Sequence, residues 1–234
     1  TYDQHCCVQN QVADVALNML VNYQINFSHI VDLACGTGES TKRLINSVHY
    51  MKCSAIDFAE SALLLAKNKL SEHESIEFVL GDFDEELFPH ACLDLIFCNM
   101  GLQWSKDLPS SISFLKHYLL SEGIMLFSIP IMGNFPEIKG EHKLRLPSDA
   151  EVIEIIQEEK LNVIDNEIHS ISIDFNSQLE VLKSLKYVGA NYNKLDAVSK
   201  AGLLGVKAQD IFRDQDSKSL TYNVGIYLLN KGEV

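Results

Sequence analysis

Apolar and polar positions along this chain follow two rhythms, and the switches between them mark out its elements. Val8, Val12, Val15, Ala16 and Met19 recur at helical spacing and predict a helix over 8–22. Short apolar runs then alternate with helical stretches: strand 29–33, helix 38–48, strand 52–57, helix 60–70, strand 76–80, strand 93–98, a helix around 109–120 and strand 123–129. Repeated strand–helix units call for a parallel sheet covered by helices on both faces. After Pro130 the rhythm changes, and Gly133, Pro136, Gly140 and Pro147 mark a loop. Ser148 with Glu151, and Ser177 with Glu180, have capping-box spacing and open helices that run to about Lys160 and Tyr187. A strand near 167–174 lies between them. A further helix is expected between 196 and 213, and a final strand over 221–229 is expected to pair antiparallel at the sheet edge.

These elements make one domain of 1–234. Residues 1–130 are the ligand-binding core with its N-terminal helix, 131–215 an inserted lid or substrate region carrying one strand, and 216–234 the final strand. No apolar run approaches the roughly 18 to 20 residues that span a bilayer. The start carries no signal-peptide pattern, and with Thr1 in place of Met it is expected to be shortened or processed. The six cysteines form no C-x-x-C pair and no His cluster completes a metal set, so no metal is expected. Most of them read as small hydrophobes packed on strands or beside apolar residues, in a reducing, cytoplasmic setting. Net charge is −13, which argues against nonspecific nucleic-acid binding. Lys183, Lys186, Lys194, Lys200 and Lys207 stand against Asp196 alone within 181–209, as solvated lysines or as a docking face. A monomer without membrane contact is expected.

The chemistry concentrates at the strand ends. Strand 29–33 runs through Asp32 into Ala34-Cys35-Gly36-Thr37-Gly38 and a helix. That is the outline of a nucleotide-type site at the carboxyl end of a parallel strand. A pyrophosphate turn would read G-x-G-x-x-G, but the third position is Thr41, and Asp32 would repel a pyrophosphate. A carboxylate there suits a cation. S-adenosylmethionine, with an ammonium and a sulfonium and no phosphate, fits, and Gly36 and Gly38 keep side chains out of its way. Asp57 ends the next strand about twenty residues on, where an acidic side chain takes ribose hydroxyls. Asp82 ends the third and can accept from an adenine amino group, with Phe58 and Phe83 as candidate walls for the ring.

These residues resemble class I S-adenosylmethionine-dependent methyltransferases, with Ala34 at the first glycine of that family's D-x-G-x-G-x-G. The resemblance implies a doubly wound, Rossmann-like, mostly parallel sheet of seven strands in the order 3-2-1-4-5-7-6. A narrower resemblance, to BioC-type malonyl-acyl-carrier-protein O-methyltransferases, is carried by several segments. They are Tyr2-Asp3-Gln4-His5, Val8-Gln9, Asp94 to Asn99, Leu102-Gln103-Trp104, Arg145-Leu146-Pro147, Leu182 to Asn191 and Leu220-Thr221-Tyr222. It implies methylation of the free carboxylate of malonyl on acyl carrier protein, early in biotin synthesis.

Methyl transfer to a carboxylate needs no general base, because a carboxyl of ordinary pKa, about 4, is already ionised at neutral pH. An anionic substrate in an acidic protein needs a local cation. Arg145, whose guanidinium can grip a carboxylate with two hydrogen bonds, is the first candidate and Lys143 the second; an ordinary surface ion pair is the other reading of Arg145. Tyr2, Gln103 and Trp104 are positioning candidates near the donor's methyl group, and Asn99 is expected to line the cofactor site. Lys183, Lys186, Lys194 and Lys200 then become a docking face for an acidic carrier. The alternatives are a methyltransferase for another small carboxylic acid or a quinone precursor, a complex I assembly-type arginine hydroxylase, and a cofactor binder without catalysis.

Overall fold

A computed structural model of the chain describes residues 7–139, 146–187, 212–214 and 218–231, with 185–187 as backbone only. Seven strands form one sheet: β1 (His29–Leu33), β2 (Lys52–Asp57), β3 (Ile76–Leu80), β4 (Leu93–Asn99), β5 (Leu119–Pro130), β6 (Leu161–Asp174) and β7 (Ser219–Lys231). Their order is β3-β2-β1-β4-β5-β7-β6. The first five pair in parallel, and β7 runs antiparallel to both β5 and β6. The described helices are α1 (Cys7–Tyr23), α2 (Glu39–Ser47), α3 (Glu60–Lys69), α4 (Leu108–Tyr118), α5 (Asp149–Glu158) and α6 (Gln178–Tyr187).

Alternation along the strands divides the core into two layers. Ile30, Leu95, Phe97, Ile124 and Leu126 point to one face, where Val12 and Ala16 of α1, Leu44 of α2 and Leu63 of α3 cover them. Val31, Leu33, Ile96, Met125 and Phe127 point to the other, under Ile112 and Leu115 of α4 and Val152 and Ile156 of α5. Two covered faces explain why the central strands read as nearly continuous apolar runs.

Local chemistry sets the helix ends. Asp107 caps α4 by accepting from the Ser110 backbone N–H at 3.1 Å. Ser148 and Glu151 form the reciprocal capping box at α5 that their spacing predicts. The predicted helix between 196 and 213 lies almost wholly outside the described residues.

Two expectations change. The final strand is interior, not at the edge: β7 sits between β5 and β6, and from Val224 to Leu229 every residue is buried. Pairing on both sides and cover on both faces removes the alternation that would mark an edge. The edge strand is β6, which begins at Leu161 rather than near 167. A register shift between Val163 and Asp165 and its half-exposed pattern hide its first turn of chain.

Tyr227 locks the antiparallel half. It is fully buried, stacks near Phe127, and donates its hydroxyl to Asp149 Oδ1 at 2.8 Å, tying β7 to α5. Its ring lies over Gly225, where an added Cβ would come within 2.8 Å of Tyr227 Cε2. Gly225→Ala should therefore overpack this layer and lower unfolding stability by about 1–3 kcal/mol, as measured by urea or thermal denaturation. An unchanged midpoint would show that the ring can shift freely.

Candidate active site

The chain winds outward from β1 through β2 to β3, then crosses back to β4 and β5. That reversal opens a crevice beyond the carboxyl ends of β1 and β4, the place where open α/β sheets bind ligands. All three predicted carboxylates stand at or just past strand tips on this side.

Asp32 lies fully buried near the end of β1. Its Oδ2 accepts from Thr41 Oγ1 at 2.6 Å and Ser40 Oγ at 2.9 Å, both from the first turn of α2. Its Oδ1 is buried with no hydrogen-bond partner. Burial raises its pKa to about 7 against the pull of those two hydroxyls, and the nearby Asp57 adds to the rise. An acceptor held out of water and left unpaired suits a cationic ligand with N–H groups to donate.

The turn after Asp32 uses three left-handed residues: Ala34 (φ 58°), Gly36 (φ 55°) and Gly38 (φ 82°). Alanine at such an angle carries strain of about 1–2 kcal/mol. Gly101, after β4, makes room for it, since a Cβ there would lie 2.7 Å from Ala34 Cβ. The two glycines divide their work in a way that spacing could not tell. Around a Cβ added at Gly36 there would be open space for 4 Å, so this residue bares its backbone to the crevice. A Cβ at Gly38 would meet Ala66 Cβ at 2.9 Å, so Gly38 serves the packing of α3 rather than ligand approach.

Asp57 ties this turn to β2. Its Oδ2 accepts from the Gly36 N–H at 2.8 Å and its Oδ1 from the Ala59 N–H at 2.8 Å, which leaves further lone pairs for hydroxyl donors. Asp82 accepts from the Asp84 N–H at 3.0 Å and faces Lys106 Nζ at 3.8 Å. Phe58, next to Asp57, is 65% exposed and offers an open ring face. Phe83 is buried in the second core layer with Leu102 and Ile112, so its ring belongs to the core rather than to an exposed wall.

Asn99 at the tip of β4 is a brace. Its Nδ2 donates to the Gln9 carbonyl at 2.9 Å, and its Oδ1 accepts from Ser128 Oγ at 2.9 Å, joining α1, β4 and β5. Beyond it, Gln103 and Trp104 sit on a 3₁₀ turn, Leu102–Trp104. Gln103 Nε2 donates to the Met100 carbonyl at 2.6 Å, and Trp104 is 41% exposed. Asp84 fastens this loop to the β3 side, accepting from the Lys106 N–H at 3.0 Å and Ser111 Oγ at 2.6 Å. Sequence reading passed over Asp84 and met Gln9 only as part of the Val8-Gln9 segment, with no role assigned. The signal for Asp84 is an acid two residues past a strand-end Asp; for Gln9 it is an amide on the apolar stripe of α1.

Of the remaining candidates, Tyr2, Lys143, Arg145, Lys194 and Lys200 lie outside the described residues, as does the side chain of Lys186. Lys183 is exposed on α6. Burial pushes the thiols of Cys35, Cys53 and Cys98 upward, in keeping with cysteines that pack rather than react.

The raised pKa of Asp32 fixes the sign of a pH effect. The folded state holds its proton more tightly than the unfolded chain, so the stabilisation is full below about pH 4 and fades as pH rises through about 7. Asp32→Asn should remove this part of the decline. Thermal unfolding of both proteins between pH 4 and 8 checks it, and parallel curves would contradict it.

A family model described as a methyltransferase domain fits residues 30–123, from β1 into β5. Over 234 residues the chain is 36% identical to "Malonyl-[acyl-carrier protein] O-methyltransferase 2" of Coxiella burnetii, covering 99% of this chain and 91% of that one. Among solved structures, the YcgJ protein of Bacillus subtilis superposes with a TM-score of 0.69 at 14% identity, covering 94% of this chain and all of that one. The N-methyltransferase NodS of Bradyrhizobium japonicum, in complex with S-adenosylhomocysteine, does so with a TM-score of 0.57 at 13% identity, covering 94% and 86%. The likeness to these two shows the shared fold. The sequence relationship shows more: carrying the class I methyltransferase fold, this chain belongs to the malonyl-[acyl-carrier protein] O-methyltransferase family.

Proposed function

We propose that this chain transfers a methyl group from S-adenosylmethionine to the free carboxylate of a malonyl unit on acyl carrier protein. The ester would disguise the malonyl group so that fatty-acid synthesis can extend it toward the pimeloyl part of biotin. The observation that carries this reading is a family likeness running the length of the chain, lid region included, rather than over the donor-binding half alone.

The residues at the strand tips fit the donor. Asp32 offers buried negative charge, the bare backbone of Gly36 allows close approach, and Asp57 keeps lone pairs for ribose hydroxyls. Asp82 and the open face of Phe58 suit an adenine ring. Bound there, S-adenosylmethionine supplies an electrophilic methyl group, which the carboxylate oxygen takes while the S–C electron pair stays on sulfur. Because the substrate arrives ionised, no side chain has to move a proton. The work left to the protein is placement and the exclusion of water. Gln103 and Trp104, on the loop past β4, and Tyr2 are the positioning residues we assign near the donor's methyl group, with Arg145, then Lys143, holding the malonyl carboxylate.

Residues 131–215 form the lid and substrate region in this reading. Lys183, Lys186, Lys194 and Lys200 meet the acidic carrier, in a monomeric cytoplasmic enzyme that uses no metal.

With labelled methyl donor and malonyl-carrier protein, the purified protein should form a base-labile methyl ester. Free malonate or a quinone precursor labelled in preference would overturn the carrier-bound substrate. Changing Lys183 and Lys186 together to Glu should raise KM for the carrier-bound substrate several-fold while donor affinity stays constant. Unchanged steady-state kinetics would remove that face from the docking surface.

A further inference from the structure

Ser128 interrupts the apolar run Ile124-Met125-Leu126-Phe127-Ser128-Ile129 of β5, and it is 1% exposed. Alternation along the strand puts it on the face of Ile124 and Leu126, the one that α1 covers. A hydroxyl there takes the place of carbon in the core and is tolerated only with its bonds made. Those bonds lead to the end of β4, the parallel neighbour, where Asn99 pairs with Ser128 in register.

Ser128 Oγ donates to Asn99 Oδ1 at 2.9 Å and accepts from the Met100 N–H at 2.9 Å. The directions are forced. An N–H can only donate, so the hydroxyl accepts from Met100 and spends its one proton on Asn99. The Gln9 carbonyl can only accept, so Asn99 turns its amide nitrogen there, at 2.9 Å, and its oxygen to Ser128. A line of three bonds, all pointing the same way, therefore joins the backbone after β4 to the backbone of α1 through two side chains.

Met100 is where the chain leaves the sheet. Its φ is 51°, a left-handed angle that a residue with a side chain adopts only under constraint. Its N–H is held twice over, by Ser128 Oγ and by the Ser128 carbonyl at 3.1 Å. Its own carbonyl accepts from Gln103 Nε2 at 2.6 Å, and the turn Leu102–Trp104 follows one residue later. We infer that Ser128 is a positioning residue. Through Met100 its hydroxyl sets the turn that carries Gln103 and Trp104, and through Asn99 it registers α1 against that turn. This rests on the proposed methyl transfer, in which Gln103 and Trp104 stand near the donor's methyl group.

Trp104 is the only tryptophan of the chain, so its fluorescence reports on that turn without any ligand. Ser128→Ala should open Trp104 to quenching by acrylamide. On malonyl-carrier protein it should lower kcat about tenfold and leave the affinity for S-adenosylhomocysteine within about twofold. Ser54→Ala removes another fully buried strand serine, bonded to His29 at 2.9 Å near the amino end of the sheet. It should change neither quenching nor kcat, which separates positioning from a general loss of stability. Ser128→Cys keeps the shape with a weaker donor and acceptor and should give the same changes to a smaller degree. It takes the place of the alanine variant if that one fails to fold. Unchanged quenching in Ser128→Ala would show that the hydroxyl does not set the turn. Raised quenching with wild-type kcat would show that the turn does not serve the reaction, and either result overturns the inference. A wild-type protein that forms no ester overturns the proposed reaction instead, while the quenching comparison still decides whether Ser128 holds the turn.

Discussion

The crevice depends on one constraint: a carboxylate is buried at the point where the sheet reverses direction. Asp32 has no exposure to water, and two hydroxyls from the first turn of α2 support only one of its oxygens. A fully solvated Asp would hold a cation weakly and in no fixed place. A buried one with both oxygens satisfied would have nothing to offer. The protein keeps the second oxygen bare at the cost of a raised pKa, and the surroundings are arranged around that choice. Asp57 accepts the Gly36 N–H and thereby fixes the turn that follows Asp32, and Gly101 yields space for the strained Ala34. The turn that follows Asp32 is thus held by contacts within the protein itself.

Much of this was legible in the sequence, for identifiable reasons. A strand covered on both faces reads as an apolar run, and a left-handed turn reads as glycine. The first five strands and the site of the turn therefore followed from the residues, as did the capping box at Ser148. What escaped notice depends on partners distant in sequence. Whether a glycine serves a ligand or a helix depends on what a Cβ would meet, and for Gly38 that is Ala66 in the next helix. Whether a strand is interior depends on which strands flank it, so β7 looked like an edge. Phe83 follows a strand-tip aspartate and yet turns into the core. Gln9 is the extreme case: nothing nearby in sequence shows that its carbonyl is held by a residue 90 positions away.

The division between fold and chemistry falls at a particular place in the chain. Proteins sharing 13–14% of its residues share its fold, so the sheet tolerates replacement of most side chains. The family relationship is of another kind, because it continues through the region after β5. A donor site built at strand tips is common property of the fold, whereas the acceptor has to be recognised by segments laid over those tips. In this chain α1, set against the tip of β4 by Asn99, is one such segment.

Charge completes the argument. The chain is strongly acidic, with a net charge of −13, and its first half holds most of the excess. Acidic groups at three strand tips favour a cationic donor and by the same field oppose an anionic acceptor. Both reactants must nevertheless meet within a few ångströms. Any cation that receives such an acceptor therefore has to come from segments other than the strand tips. Residues 139–234 carry 12 basic against 15 acidic groups and residues 1–138 carry 7 against 17, so the acidic excess that opposes an anion is concentrated in the part of the chain that builds the strand tips.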